Sequence, residues 1–162
     1  MNAALRPKST EVALDFCLSL PHPGVMAKDS KIIAANAAFY AAFSAGDFAG
    51  MERMWADDDG ISCIHPGWPA IVGRATVIGS WRDILRSPGR PDVLCQKPYA
   101  IISGDGGRVL CIEQVGSLAL AASNHFMRID GAWRLVHHQS SPIAPFAGEF
   151  AHNPSISNRQ VH

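Results

Sequence analysis

The chain has 162 residues, 48% of them hydrophobic and 17% charged, which is room for one folded domain with its own core. Fourteen basic residues balance fourteen acidic ones, so the basic field that draws nucleic acid or anionic membrane is missing, and neither is expected as a partner. Cys17, Cys63, Cys95 and Cys111 form no C-x-x-C pair, which argues against a zinc knuckle or a dense disulfide framework and for free thiols in the cytoplasm.

In chain order, residues 1–30 mix polar residues with a PHPG turn at Pro21 to Gly24 and show no sustained period. They read as an arm with one short helix around Glu11 to Leu18. The apolar stretch there is interrupted by Asp15 and lacks a small-residue cleavage site, so no secretory leader is expected. A domain over 31–142 is expected to open behind a cap at Asp29 or Ser30. Ile32, Asn36, Phe39 and Phe43 recur at helical spacing, with Ile33 and Tyr40 beside them, and Gly46 ends that helix. Asp47 is placed to cap a second helix through Met51, Met54 and Trp55.

A strand over Ile61 to His65 then turns at Pro66-Gly67, and Val77, Trp81, Ile84 and Leu85 mark a third helix that stops at SPGRP. The remainder reads as β. A strand near Val93 to Ile102 is interrupted by Pro98, which marks an edge or a bulge. After the GDGG loop come Arg108 to Val115, a Gly116-Ser117 turn, Leu118 to Ile129, the hairpin signal Asp130-Gly131, and Trp133 to Ser140. The tail, 143–162, is rich in Pro, Ser and Asn. Helices first and a meander after make the fold class α+β.

Two-residue hairpins fix which side chains share a face. One face carries Val109, Cys111, Glu113 and Val115, then Leu120, Ala122, Asn124 and Phe126, then Trp133, Leu135, His137 and Gln139. Being bulkier, it should meet the helices. The other face, with Leu110, Ile112, His125, Met127, Val136 and His138, is too apolar for full exposure and is expected to pair with a second copy. A one-residue bulge would exchange some of these assignments.

The helix AANAAFYAAFSAGDFAGMERMWADD, the segment ISCIHPGWPAIVGRATVIGSW and the ending FMRIDGAWRLVHHQSSP resemble the nuclear transport factor 2-like superfamily, and within it the SnoaL-like branch. The resemblance implies a cone: N-terminal helices on a strongly curved antiparallel, mixed-edge sheet that encloses a pocket. It also implies dimerisation. It leaves the activity open, because that superfamily hosts isomerases, dehydratases, cyclases, hydrolases and non-catalytic modules. The Asp-based set of its ketosteroid isomerases and the Asp-Arg-Asp set of its epoxide hydrolases are absent from the inner strands, where Glu113 is the acidic residue. Gln139 stands where many SnoaL-like members carry a His.

Ionisable groups on an apolar face cost free energy unless paired or facing a wet cavity. Glu113 therefore reads as a general base, and equally as a salt-bridged strand carboxylate. His137 reads as its acid/base partner or as a structural imidazole. Tyr40, His65, Trp68, Trp81, Asn124 and Gln139 are the expected substrate-binding residues, each with a plain packing role as the alternative. Cys63, His65, His137 and His138 are metal-ligand types without metal-ligand spacing, so neither a metal nor another cofactor is expected. Two function classes follow. One is a cofactor-free proton-transfer enzyme (isomerase, dehydratase or cyclase) acting on a small apolar or aromatic molecule. The other is a non-catalytic ligand-binding or dimerisation module.

Overall fold

The computed structural model describes residues 23–143, with side chains from residue 30 onward. The expected short helix at Glu11 to Leu18, Cys17 and residues 144–162 lie outside them. Helix α1 runs Pro23–Ala45, so it begins ahead of the expected caps at Asp29 and Ser30. Proline suits a first turn, where its missing N–H has no intrahelical partner. Ile32, Asn36, Phe39 and Phe43 are all buried, the stripe that the spacing predicts.

Gly46, at φ 66°, closes α1: its N–H bonds to Phe43 O and that of Asp47 to Ala42 O, at 3.0 and 2.9 Å. Asp47 then caps α2 (Phe48–Met54), its Oδ1 accepting the Gly50 N–H at 2.8 Å. Helix α3 spans Arg74–Arg86. The Arg90 guanidinium ties the ends of α1 and α3 together by donating to Ser44 O and Leu85 O.

The strands are β1 (Ser62–Ile64), β2 (Ile71–Val72), β3 (Leu94–Ser103), β4 (Gly106–Val115), β5 (Leu118–Ile129) and β6 (Ala132–Pro142). They form one open sheet in the order β2-β1-β6-β5-β4-β3. The α+β cone architecture is as expected. β1 joins β6 in parallel, which makes the sheet mixed, and the two-residue β2 was not foreseen. Pro98 sits in a bulge between Gln96 and Tyr99 on β3, an edge strand, where a residue without an N–H is tolerated. Asp130 and Gly131 both have positive φ, 50° and 76°, as a type I′ hairpin requires. Helix α1 packs so tightly on β4 that a Cβ on Gly107 would lie 2.6 Å from Ile32 Cδ1.

One irregularity decides the site. His125 pairs with His137, but the next residue of β5, Phe126, pairs with Leu135, leaving Val136 as an extra residue in β6. From Trp133 to Leu135 the expected inner face holds; beyond Val136 it is inverted. His138 and Ser140 are buried against the helices, while His137 lies on the outer face and Gln139 is exposed there. The expected inward placement of His137 and Gln139 is therefore corrected by a bulge that no turn residue announces.

Candidate functional site

The concave side of the sheet and the three helices enclose a cluster of polar groups inside an aromatic shell. Glu113, on β4, is 5% exposed, and both carboxyl oxygens are engaged: Tyr40 Oη donates to Oε1 at 2.8 Å and Ser140 Oγ to Oε2 at 2.5 Å. With the phenol proton committed to Glu113, Tyr40 Oη accepts from Asn124 Nδ2 at 3.2 Å, and in its 3.2 Å contact with Cys111 Sγ the thiol is the donor. Asn124 Nδ2 also donates to Asn36 Oδ1 at 2.7 Å, and Asn124 Oδ1 accepts from His138 Nδ1 at 2.6 Å. That last bond fixes the tautomer: Nδ1 carries the proton, and Nε2 holds the lone pair.

A second imidazole stands beside the first, the His65 and His138 rings being 6.4 Å apart with Trp81 near both. Ser80 Oγ donates to Val77 O, so His65 Nε2 donates to Ser80 Oγ at 2.9 Å, and the basic nitrogen of His65 is Nδ1. Phe39 packs edge-on against Tyr40 and Trp81, and Trp55 adjoins Trp81. Among the described residues, the buried indole N–H groups of Trp55 and Trp81 have no hydrogen-bond partner.

Burial sets the charge state of these groups. It raises the Glu113 carboxyl above its ordinary range, against the opposing pull of the Ser140 and Tyr40 hydroxyls. It lowers His65 to about 4 and, with the nearby imidazoles, His138 to about 3, so both rings are neutral at pH 7. Burial and the Glu113 charge push the Cys63 thiol up to about 12. The cluster is thus a set of neutral donors and acceptors around one carboxyl that resists ionisation. Such a group is a stronger base when ionised, and a usable acid when not, than a solvated glutamate.

Of the residues named from the sequence, Glu113, Tyr40 and Asn124 meet in one network, and His65 and Trp81 stand against its His138 end. Trp68 is 48% exposed and lies edge-on over His65, at the surface rather than in the interior. His137, on the outer face, bonds through Nδ1 to Ser62 Oγ at 2.8 Å and meets the His125 ring edge-on. Gln139 is exposed. Sequence reasoning missed His138, Ser140, Ser80 and Asn36 as network members. Asn36 had a signal, an amide in an otherwise apolar helical stripe; His138 and Ser140 depended on the bulge.

Surface clefts of about 450 and 340 Å³ lie elsewhere: the first is lined by Glu52, Asp59, Arg74 and Arg82, the second by Ile101, Arg108, His125 and Met127 among others. Neither is lined by Glu113. Among the described residues, no group of three or more His, Cys, Asp or Glu is arranged to hold a metal ion, and no helix is long and apolar enough to cross a membrane.

The SnoaL-like domain model matches residues 32–145. The solved structure of a proposed dehydratase of the NTF2-like family from Streptomyces avermitilis is 28% identical, with a TM-score of 0.68 over 74% of this chain and 99% of that one. A proposed calcium/calmodulin-dependent protein kinase type II association domain from Thiobacillus denitrificans is 33% identical, with a TM-score of 0.63 over 69% of this chain and 94% of that one. The F-box protein SKIP8 of Arabidopsis thaliana is 27% identical over 123 residues, 68% of this chain. The match spans 48% of that relative, about half its length.

Proposed function

The chain belongs to the SnoaL-like domain family of the nuclear transport factor 2-like superfamily, and from that premise we propose that it is a cofactor-independent proton-transfer enzyme for a small carbonyl or hydroxyl compound. The observation that carries this reading is Glu113: a buried carboxyl, shifted toward its neutral form, held between two hydroxyl donors. A perturbed carboxyl bonded to a tyrosine, in one network with a neutral imidazole, is the equipment of acid/base chemistry. Glu113 takes the substrate proton, Tyr40 holds the carboxylate in place, and His138 Nε2 accepts a hydrogen bond from a substrate hydroxyl.

The unpaired indole N–H groups of Trp55 and Trp81 add support, since a bound oxygen would remove a cost of about 1–3 kcal/mol for each orphaned donor. Entry is assigned to the HPGWP turn, where Trp68 covers His65. The 28% identity to the proposed dehydratase agrees with elimination as the reaction class. Three unpaired cysteines, Cys63, Cys95 and Cys111, fit a reducing compartment such as the cytoplasm.

The test is a panel of small β-hydroxyketones followed by NMR in deuterated water. The wild type is expected to catalyse α-proton exchange or loss of water, and Glu113→Gln to lose it by at least a hundredfold while staying folded. Equal rates in the two proteins would remove Glu113 from the chemistry.

A second reading, a homodimeric association module, is favoured by a separate observation. The outer sheet face exposes Tyr99, Leu110, Met127 and Ile129, and the 33%-identical relative is a proposed association domain. Sedimentation of the wild type against Leu110→Arg tests it. A dimer that the substitution dissociates supports the reading; a wild-type monomer at all concentrations refutes it.

A further inference from the structure

The cone interior contains a pair of thiols that the proton-transfer proposal does not use. Cys95, on β3, lies opposite Glu113 in the sheet register, and Cys111 is two residues from Glu113 on the same inward face of β4. Across the β3–β4 pair the two residues are therefore diagonal neighbours. Both are also held from one side of α1: Asn36 Nδ2 donates to Cys95 Sγ at 3.5 Å, and Tyr40 Oη contacts Cys111 Sγ at 3.2 Å. Asn36 and Tyr40 are four residues apart, one helical turn, so the thiols face adjacent positions of a single helix surface.

We propose that Cys95 and Cys111 form a peroxide-sensitive dithiol that closes reversibly to a disulfide. Cys95 is half-buried and Cys111 buried, so an oxidant meets Cys95 first. The neighbouring groups divide the labour in the same sense. The hydrogen bond from Asn36 Nδ2 favours the Cys95 thiolate, whereas Cys111 keeps its proton in the contact with Tyr40 Oη. The Cys95 thiolate attacks one oxygen of hydrogen peroxide and breaks the O–O bond. The other oxygen leaves as hydroxide and is protonated to water, giving a sulfenic acid. The Cys111 sulfur then attacks the Cys95 sulfur, and the sulfenic hydroxyl leaves with the Cys111 proton as a second water. Two thiols and one peroxide become one disulfide and two waters, and a dithiol reductant reverses the change.

Bond formation requires the two sulfurs to approach, and β3 is the strand placed to move. Among the described residues it is an edge strand, paired on one side only, and its bulge between Gln96 and Tyr99 lies directly opposite Cys111. Closure removes the Cys111 S–H that Tyr40 Oη accepts and loosens the Asn36 contact, so the oxidation state is transmitted to the Tyr40–Glu113 and Asn36–Asn124 bonds.

The experiment uses the full chain, titrated with hydrogen peroxide, alkylated, digested without reductant and read by mass spectrometry. A linked Cys95–Cys111 peptide pair is expected, with parallel loss of both thiols and full recovery after dithiothreitol. In Cys111→Ser, Cys95 is expected to persist as a sulfenic acid trapped by dimedone, and in Cys95→Ser, Cys111 is expected to stay reduced at the same dose. The proposal is overturned if wild-type Cys95 pairs with Cys17 or Cys63, or if it is over-oxidised while Cys111 remains alkylatable. It is equally overturned if both thiols stay reduced at a dose that oxidises Cys17.

Discussion

Tyr40 Oη and Glu113 Oε1 lie 2.8 Å apart although 73 residues separate them in the chain, and this bond joins helix α1 to the middle of the sheet. It joins the two halves of the interior network, because Tyr40 also receives Asn124 Nδ2, which leads on to His138.

Burial raises the Glu113 carboxyl above 4.5, so the folded chain holds that proton more tightly than the unfolded chain does. Its contribution to stability is complete below the unfolded value and is lost as pH rises through the raised one. Glu113→Gln removes the titration. Urea denaturation from pH 4.5 upward is expected to show the variant gaining on the wild type, by up to about 1.4 kcal/mol per pH unit inside the window. Parallel curves would contradict a raised carboxyl.

The two buried imidazoles act in the opposite direction. His65 and His138 are lowered from 6.5 to about 4 and about 3, so their contribution is present above pH 6.5 and lost on acidification. Each is expected to cost about 1.4 kcal/mol per pH unit between roughly pH 6 and 4. His138→Gln, which keeps a donor for Asn124, is expected to remove about half of that slope in chemical denaturation. An unchanged slope would place the acid sensitivity elsewhere.

Two tryptophans from the same short segment of sequence should differ sharply on truncation. Trp81 is 3% exposed among Phe39, Phe43, Trp55, His65 and His138, and Trp81→Ala is expected to cost about 3–5 kcal/mol. Trp68 is half-exposed, and Trp68→Ala is expected to change stability by no more than about 1 kcal/mol. Thermal melts of the pair check this. Comparable losses would mean that Trp68 is part of the core.

Gly46 faces two obstacles to a side chain. Its φ is 66°, and a Cβ there would lie 2.3 Å from Arg90 Nη1. Gly46→Ala is expected to cost about 1–2 kcal/mol from the backbone alone, plus the displacement of Arg90 from the carbonyls it bridges. In an Arg90→Ala background the same change should cost less. A double-mutant cycle with no coupling would show that the guanidinium yields freely.

Fold and site were legible to different depths, for a physical reason. The β5–β6 hairpin could be read because Asp130-Gly131 demands a turn with two positive φ angles, and α2 because Asp47 caps it. Glu113, Tyr40 and Asn124 could be placed together because period-two alternation holds along β4 and most of β5. The alternation misleads after Leu135, since the Val136 bulge arises from sheet twist and packing, and the stretch LVHHQSS contains no glycine or proline to mark it. The inward imidazole was therefore read as His137 where the fold presents His138. β2 escaped notice because two residues are too few to show a period.

The most direct test of the central claim is a crystal structure of the protein with a small β-hydroxyketone bound. The account predicts the ligand inside the cone, with an oxygen or its acidic carbon within hydrogen-bonding reach of Glu113 and with Trp68 displaced from His65. Ligand found only on the outer face, with the Tyr40–Glu113–Ser140 bonds intact and the interior still packed, would contradict a proton-transfer site and leave the association module as the function.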